Sequence, residues 1–572
     1  MDKNGEEKEI KEPSIIVKKI IFNDGTEIEP NKNEIILFVG PNNVGKSRAL
    51  KDIKNDLNRK SSDKIIIKEI EYDASNFNEE SLTKFIKENC NRNAHGDYYT
   101  QIDNVYFSYN DWQLNNINEC SRDFYRLLFT YLSTENRLNI TKPIYTNDIR
   151  DDYSINILKK LEESNELIKK LNKYLLKSFD KAIDIAEDYD NNFLIKKYKI
   201  GNKKEIEKTT NTNIRDAKVE LKKLEDLNNQ GDGIRSSVAI LSSLIVNKHS
   251  LYLIDEPETF LHPPQARLLG KNIVELAKDN QCFISTHNID IIRGVLEKDA
   301  SRIKIIKINR DGNKNEFHIL DNSSITKIAN DKNLKYSNIL NGLFYDQVVL
   351  CENESDCKFY SAILEVLDSN IYQNTLFCAV GGKDQFKLVI PLLKKLGIKY
   401  LVIADIDLIN DRDKLKQLVN AIEPNQYKII EEAHKIFFTE FEKNTNSLIK
   451  KQKIIKEEIA NMFTEDEYMP QSVADRIKET LKEINNLKLL KKAGKYIIPQ
   501  GECIRKFEEI EKFLITNNIF ILECGEIERF VPDVNRHGNA WVEEVFRKYK
   551  KMDDLAYDSV KRFIKKVFNI EN

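Results

Sequence analysis

The string FVGPNNVGKSRAL, Phe38 to Leu50, contains Gly-x-x-x-x-Gly-Lys-Ser between an apolar run and a helical one, the setting that a phosphate-binding loop requires. Glycines at Gly40 and Gly45 let backbone N–H groups, with Asn42 and Asn43 between them, wrap a polyphosphate at a helix N-terminus. Lys46 is placed to neutralise the terminal phosphates, and the Ser47 hydroxyl to ligate a divalent cation. A strand leading into a loop and then a helix is the start of an alternating α/β domain.

Working outward, the remaining strands of that domain are Ser14 to Phe22 before the loop and Ser250 to Ile254, Gln281 to Ser285 and Ile303 to Ile308 after it, with the last near Leu320. The strand in SLYLIDEPETFLHP ends in Asp255 and Glu256, the first suited to hold a metal through water and the second to polarise an attacking water. The strand in QCFISTHN ends in His287, placed to sense a terminal phosphate. From about Ile140 to Asn229 Leu and Ile recur at helical spacing amid Lys and Glu, as in ILKKLEESNELIKKLNKYLLK, and the expectation is an insertion of paired long helices.

Asp-Glu-Pro-Glu with Leu261-His262-Pro263, followed by Ser285-Thr286-His287, resembles the ABC-type ATPase heads of RecF, SMC and OLD-family proteins. The resemblance implies ATP as ligand, magnesium at Ser47 and Asp255, catalysis by Glu256 and His287, and heads that close in pairs over nucleotide. The signature segment implied is NQGDGIRSS, with Gly231, Gly233 and Ser236; the same string also fits a glycine-rich cap ahead of a helix.

A boundary is expected between Asp321 and Gly342, giving an ATPase domain in two parts, 1–139 and 230–335, around the insertion 140–229. A second α/β pattern then occupies 342–572, with strands at Gln347 to Cys351, Leu376 to Val380, Tyr400 to Ala404 and Phe520 to Leu522. A Lys- and Glu-rich interruption, about 411–493, reads as helical, because a structureless loop of that length is implausible in a compact domain.

The run QVVLCENESD sets Glu352 past a strand end with Asp356 four residues on, and YLVIADID ends in Asp405 and Asp407. Alternation along an extended chain would send both aspartates to one side. Crowded acids repel, and divalent metal relieves the repulsion. A strand-end glutamate followed by a strand-end Asp-x-Asp resembles the Toprim fold of topoisomerases, primases and OLD-family nucleases, with Gly381-Gly382 between the two elements. Where that pattern has Glu-Gly, this chain has Glu352-Asn353, so asparagine is expected to make the tight turn at positive φ.

In FILECGEIERF, Glu526 and Glu528 resemble the element completing an OLD-type metal site, with Glu528 preferred. The resemblance also implies a late basic residue, for which Lys548, Lys550 and Lys561 are candidates. The implied ligands at this site are Glu352, Asp356, Asp405, Asp407 and Glu528, binding Mg2+ or else Mn2+ or Ca2+.

The order of ATPase head, insertion and Toprim domain resembles OLD-family endonucleases, a group that includes the nuclease subunit of Gabija-type antiviral systems. It implies an ATP-regulated, metal-dependent DNA endonuclease, working as a homodimer or larger oligomer, with a helicase-like protein as a possible partner. The rival readings are an ATP-driven sensor with an inactive Toprim domain, and a repair ATPase of the RecF or SMC type.

Composition narrows these choices. Ninety Lys and Arg against ninety-two Asp and Glu leave a net charge of −2, so DNA contact must use local basic patches. Eight scattered cysteines with no Cys-x-x-Cys pair fit reduced thiols. The opening MDKNGEEKEIKE lacks the apolar centre of a signal peptide, and no apolar run approaches the roughly 20 residues of a membrane span. The expectation is a cytoplasmic protein without a membrane partner.

Overall fold

A computed structural model describes residues 11–571 apart from 59–63, 93–97, 103–104, 111–112, 114–123, 147–156, 191–192, 211–213, 247–248, 313, 331–337, 446–451, 464–467 and 483–485. The chain divides into two compact units, Met1–Asn330 and Asp331–Asn572. Part of the expected boundary, 331–337, lies outside the described residues. Among the described residues no helix is long and apolar enough to cross a membrane.

The first unit is built on a six-stranded sheet in the order Lys314–Leu320, Ile303–Asp311, Ile35–Val39, Gln281–Ser285, Leu251–Asp255, Phe129–Leu132. All neighbours are parallel except the first pair, an antiparallel hairpin. Ile35–Val39 is buried at all five residues, the pattern of a strand covered on both faces. Its chain passes through the glycine loop into the helix Lys46–Leu57, whose apolar stripe Ala49, Leu50, Ile53 and Leu57 is buried. Parallel pairing brings Asp255 opposite Ser285, so the loop, the Asp-Glu turn and the Ser-Thr-His turn share one sheet edge.

That helix is fastened by a buried carboxylate. Asp52 Oδ2 accepts from the backbone N–H groups of Ile65, Ile66 and Ile67, at 2.9, 2.6 and 3.1 Å, while Oδ1 accepts from Arg48 Nε at 2.9 Å. These bonds hold the start of the strand Ile67–Ser75, which pairs antiparallel with Ser14–Phe22.

The stretch expected to hold paired long helices is mixed. The helices Ile157–Glu162 and Asn165–Phe179 are present, but Ala182–Asp190 and Phe193–Gly201 form an antiparallel ribbon in full register. AIDIAEDYD and FLIKKYKIG alternate with a period near two, and their Lys and Glu disguise it as one more charged helix. Residues 147–156 of this stretch lie outside those described.

The second unit holds a four-stranded, all-parallel sheet in the order Thr375–Ala379, Gln347–Cys351, Lys399–Asp405, Ile519–Leu522. Trp541, fully buried, packs edge-on against Phe359 at 5.0 Å and ties the helix Gly538–Lys548 to the helix Glu354–Leu367. Helices Arg412–Ile422, Glu431–Thr445, Gln452–Ala460, Gln471–Lys482 and Asn486–Ala493 occupy the long interruption between the last two strands.

Removing the Asp52 carboxylate strands three backbone N–H groups, two of them, Ile66 and Ile67, buried. Asp52→Ala is expected to cost about 3 kcal/mol of stability, seen as a lower denaturation midpoint. Asp52→Asn, which keeps one acceptor oxygen, should cost less.

Candidate functional site

At the glycine loop, Gly40, Asn43 and Gly45 take left-handed backbone angles, with φ of 144, 65 and 106°. Residues 42–48 line an open cleft of about 1060 Å³ with Glu256, Arg310, Lys314 and Asn315. The loop is braced from the hairpin: Arg310 Nη1 donates to the Asn43 carbonyl at 3.2 Å and Asn315 Nδ2 to that of Val44 at 2.7 Å. Lys46 is buried, and its ammonium donates to the Gly40 and Pro41 carbonyls at 3.0 and 2.7 Å. Burial holds its pKa below the usual lysine value, against the pull of Glu256, Glu258 and Asp255. A cation in a glycine loop at a helix N-terminus, with acids behind it, fits a nucleotide polyphosphate and its metal.

Asp255 accepts from the Ser285 hydroxyl across the sheet. Glu256 sits at φ 46°, and its N–H donates to the Ser285 carbonyl at 3.0 Å. His287 Nδ1 lies 3.4 Å from a carboxylate oxygen of Glu256 and equally far from one of Glu258. Glu258 is buried; its Oε1 accepts from Thr286 Oγ1 at 2.8 Å and the His287 N–H at 3.1 Å, and burial raises its pKa. Sequence reading passed over Glu258, the third acid of Asp-Glu-Pro-Glu.

It also missed Arg137. This side chain is fully buried, donating through Nη1 to the carbonyls of Leu132 and Asp255 and through Nη2 to that of Glu256 at 3.0 Å. Burial lowers its pKa to about 10, while Asp255, Glu258 and Glu256 hold it up. No local motif marks this arginine, because its partners lie far along the chain.

The signature segment divides. Gly231 stands just before the helix Asp232–Val246, with no atom near the place of a Cβ, while Gly233 packs against the Phe260 carbonyl. Ser236 is 1% exposed and its hydroxyl faces the interior. It stands one turn into a helix that is buried throughout from Ser236 onward.

In the second unit, Leu350 pairs with Val402, which brings the strand ends at Glu352 and Asp405 side by side. Asp405 N–H donates to Glu352 Oε1 at 3.2 Å. The strand stops at Asp405; Ile406–Asn410 is a 3-10 turn, with Ile406 buried and its N–H bonded to the Gly525 carbonyl. Asp407 therefore reaches the cluster from a turn, not by strand alternation, and pairs with Lys383, which also lies 3.7 Å from Glu352.

Asn353 does not adopt positive φ. At φ −132° it caps the helix Glu354–Leu367, and its N–H donates to Asp356 Oδ2 at 3.1 Å. The left-handed angles fall instead on Gly381 and Gly382, at φ 80 and 115°, whose N–H groups both donate to the Glu352 carbonyl at 3.1 Å.

On the far side, Lys491 Nζ lies 2.8 Å from Asp405 and 3.9 Å from Glu526. Ligand atoms of Glu526, Glu528 and His537 lie within 4.8 Å of one another. His537, exposed at a helix start, carries no sequence signal of its own. Lys548 pairs with Asp533 instead of entering the cluster.

Burial raises the Glu352 pKa to about 7, with Asp405 and Asp407 adding to it and Lys383 opposing. Burial raises Asp356 to about 6, helped by Asp405 and Glu528. Burial likewise raises Asp405 and Glu526 against the pull of Lys491. Oxygen donors gathered under mutual repulsion fit hard divalent cations.

Known proteins match both halves. The family described as "AAA domain, putative AbiEii toxin, Type IV TA system" matches residues 35–293, and the family "Overcoming lysogenization defect protein-like, TOPRIM domain" matches 343–407. Old nuclease of Escherichia phage P2 is 26% identical over 171 residues, 28% of either chain. Endonuclease GajA of Bacillus cereus (strain VD045) is 26% identical over 197 residues, 32% of either chain. The chain thus spans less than a third of the length of these curated relatives. The SMC head bound to the C-terminal winged helix domain of ScpA is 13% identical, covering 55% of this chain and 99% of that one, with a TM-score of 0.34.

An ATPase domain followed in the same chain by a Toprim domain defines the class, one that uses nucleotide and divalent metal. Within that class, the chain is similar to the ATPase–Toprim proteins of the OLD family.

Glu352 and Asp356 titrate higher folded than unfolded, so the stability they contribute is complete below about pH 4 and is lost as pH rises to about 7. The melting temperature of chelator-treated protein should fall across that window. Glu352→Gln should flatten the fall, and Mn2+ should reverse it. For the first unit, Arg137→Met is expected to slow ATP turnover by about 10²-fold while ATP still binds, checked by phosphate release against nucleotide affinity.

Proposed function

We propose that this chain is an ATP-binding and ATP-hydrolysing, divalent-metal-dependent DNA endonuclease acting in defence against bacteriophage. The observation that carries the reading is the meeting of Glu352, Asp356, Asp405 and Asp407 at one sheet edge, in a chain that also has a complete nucleotide loop. A decayed Toprim site has no reason to keep these acids together. Its one departure, Asn353, serves as a helix cap and leaves them in place.

In the ATPase unit, Lys46 would exchange its two loop carbonyls for the β- and γ-phosphate oxygens, and the N–H groups of Asn42 to Ser47 would enclose the rest. Ser47 and Asp255 would hold magnesium, and Glu256 is placed to polarise the attacking water. His287, between Glu256 and Glu258, contacts the γ-phosphate. Arg137 fixes the Asp255 and Glu256 carbonyls and so the direction of both carboxylates. The open face of Gly231 leaves room for a second copy to approach the nucleotide, in keeping with a dimer of heads.

In the Toprim unit, Glu352, Asp356, Asp405, Asp407 and Glu528 would hold Mg2+, or Mn2+ or Ca2+ in its place. When bound, such ions supply Lewis-acid stabilisation and an activated water for phosphodiester hydrolysis. Glu352, at the strand end beside Asp405, is also placed to move a proton during hydrolysis. Gly381 and Gly382 keep its backbone fixed while it does so.

Supercoiled plasmid incubated with Mg2+ or Mn2+, with and without ATP, tests both halves. The wild type should nick or linearise it, and Asp405→Ala should be slower by at least ~10²-fold. Equal behaviour of the two proteins over a broad metal range would remove the nuclease reading.

A further inference from the structure

Two ammonium groups lie among the Toprim acids, and they arrive differently. Lys383 follows Gly382 and belongs to the sheet edge itself. Lys491 comes from the helix Asn486–Ala493, at the far end of the long helical interruption, yet its Nζ stands 2.8 Å from Asp405 Oδ2.

Its backbone is fixed there. A Cβ at Gly525, φ 114°, would stand 2.1 Å from the Lys491 carbonyl oxygen, and one at Gly494, φ 65°, would stand 2.3 Å from the Glu523 carbonyl oxygen. Lys495 N–H donates to that same Glu523 oxygen at 2.7 Å, and the Gly525 carbonyl accepts from Ile406 N–H at 3.2 Å. The segment 491–495, the turn 523–525 and the end of the Asp405 strand are therefore one stitched unit. Only glycine admits these approaches.

The side chain on that anchored backbone is a compact charge on a four-carbon stem with three rotatable donors, and it is 38% exposed. It occupies Asp405 and adjoins Glu526, two of the carboxylates that fit divalent metal. A cation bound there competes with the ammonium for the same oxygen. The displaced ammonium keeps its anchor, and the anionic group that a metal-loaded site would bring within its reach is a phosphate.

We propose that Lys491 is a resident counter-ion of the nuclease centre, which metal loading transfers from Asp405 to the phosphate being cleaved. The inference rests on the nuclease reading above. The full-length chain, Lys491→Met and Lys491→Arg would be compared in Mn2+ affinity, by electron paramagnetic resonance of free Mn2+, and in plasmid cleavage at saturating Mn2+.

Losing the competitor should tighten Mn2+ binding in Lys491→Met roughly fivefold, while cleavage falls by about 10²-fold. Lys491→Arg, which keeps the charge, should recover part of the cleavage. Unchanged or weaker Mn2+ binding in Lys491→Met overturns the proposal, as does cleavage at the wild-type rate. A wild-type chain that binds Mn2+ yet leaves plasmid intact overturns the nuclease reading itself, and the phosphate role with it.

Discussion

Like-charge repulsion at one end of a parallel sheet governs the second unit. Burial and neighbouring acids together hold Glu352, Asp356, Asp405 and Glu526 above the usual carboxylate range, and Lys383, Lys491 and Arg529 offset this only in part. Much of the surrounding architecture answers that imbalance. The Gly381-Gly382 turn grips the Glu352 backbone, the Asn353 N–H steadies Asp356, and the stitched 491–495 segment delivers an ammonium to Asp405. Such an arrangement is costly to fold around empty space and inexpensive around divalent cations.

The first unit solves the opposite problem, holding a binding loop ready for an anion. Its sheet edge collects a buried cation, Lys46, and backs it with acids that are themselves secured through the backbone. Arg137 and Ser285 bind carbonyls and N–H groups of the Asp255-Glu256 turn, leaving the Glu256 carboxylate directed outward. Both units thus fix the main chain at strand ends and leave the charged tips adjustable.

The sequence was most legible where chemistry and periodicity coincide. Strand ends carrying Gly40, Asp255, Ser285, Glu352 and Asp405 fall within a residue or so of where apolar runs place them, because buried parallel strands are nearly continuous in hydrophobicity. Legibility failed where a role depends on distant partners. Arg137 and Lys491 are ordinary basic residues until the fold delivers Asp255 to one and Asp405 to the other. It failed again where one residue type serves two geometries: Asn353 could turn the chain or cap a helix, and only the Asp356 partner decides. The ribbon Ala182–Gly201 was hidden because Lys and Glu on its polar face mimic a solvated helix.

Lys46 resting on the Gly40 and Pro41 carbonyls carries a kinetic consequence. A loop that satisfies its own cation need not collapse when nucleotide departs, so the vacated seat keeps its shape. Re-occupation then exchanges one set of oxygen acceptors for another without a search through backbone conformations.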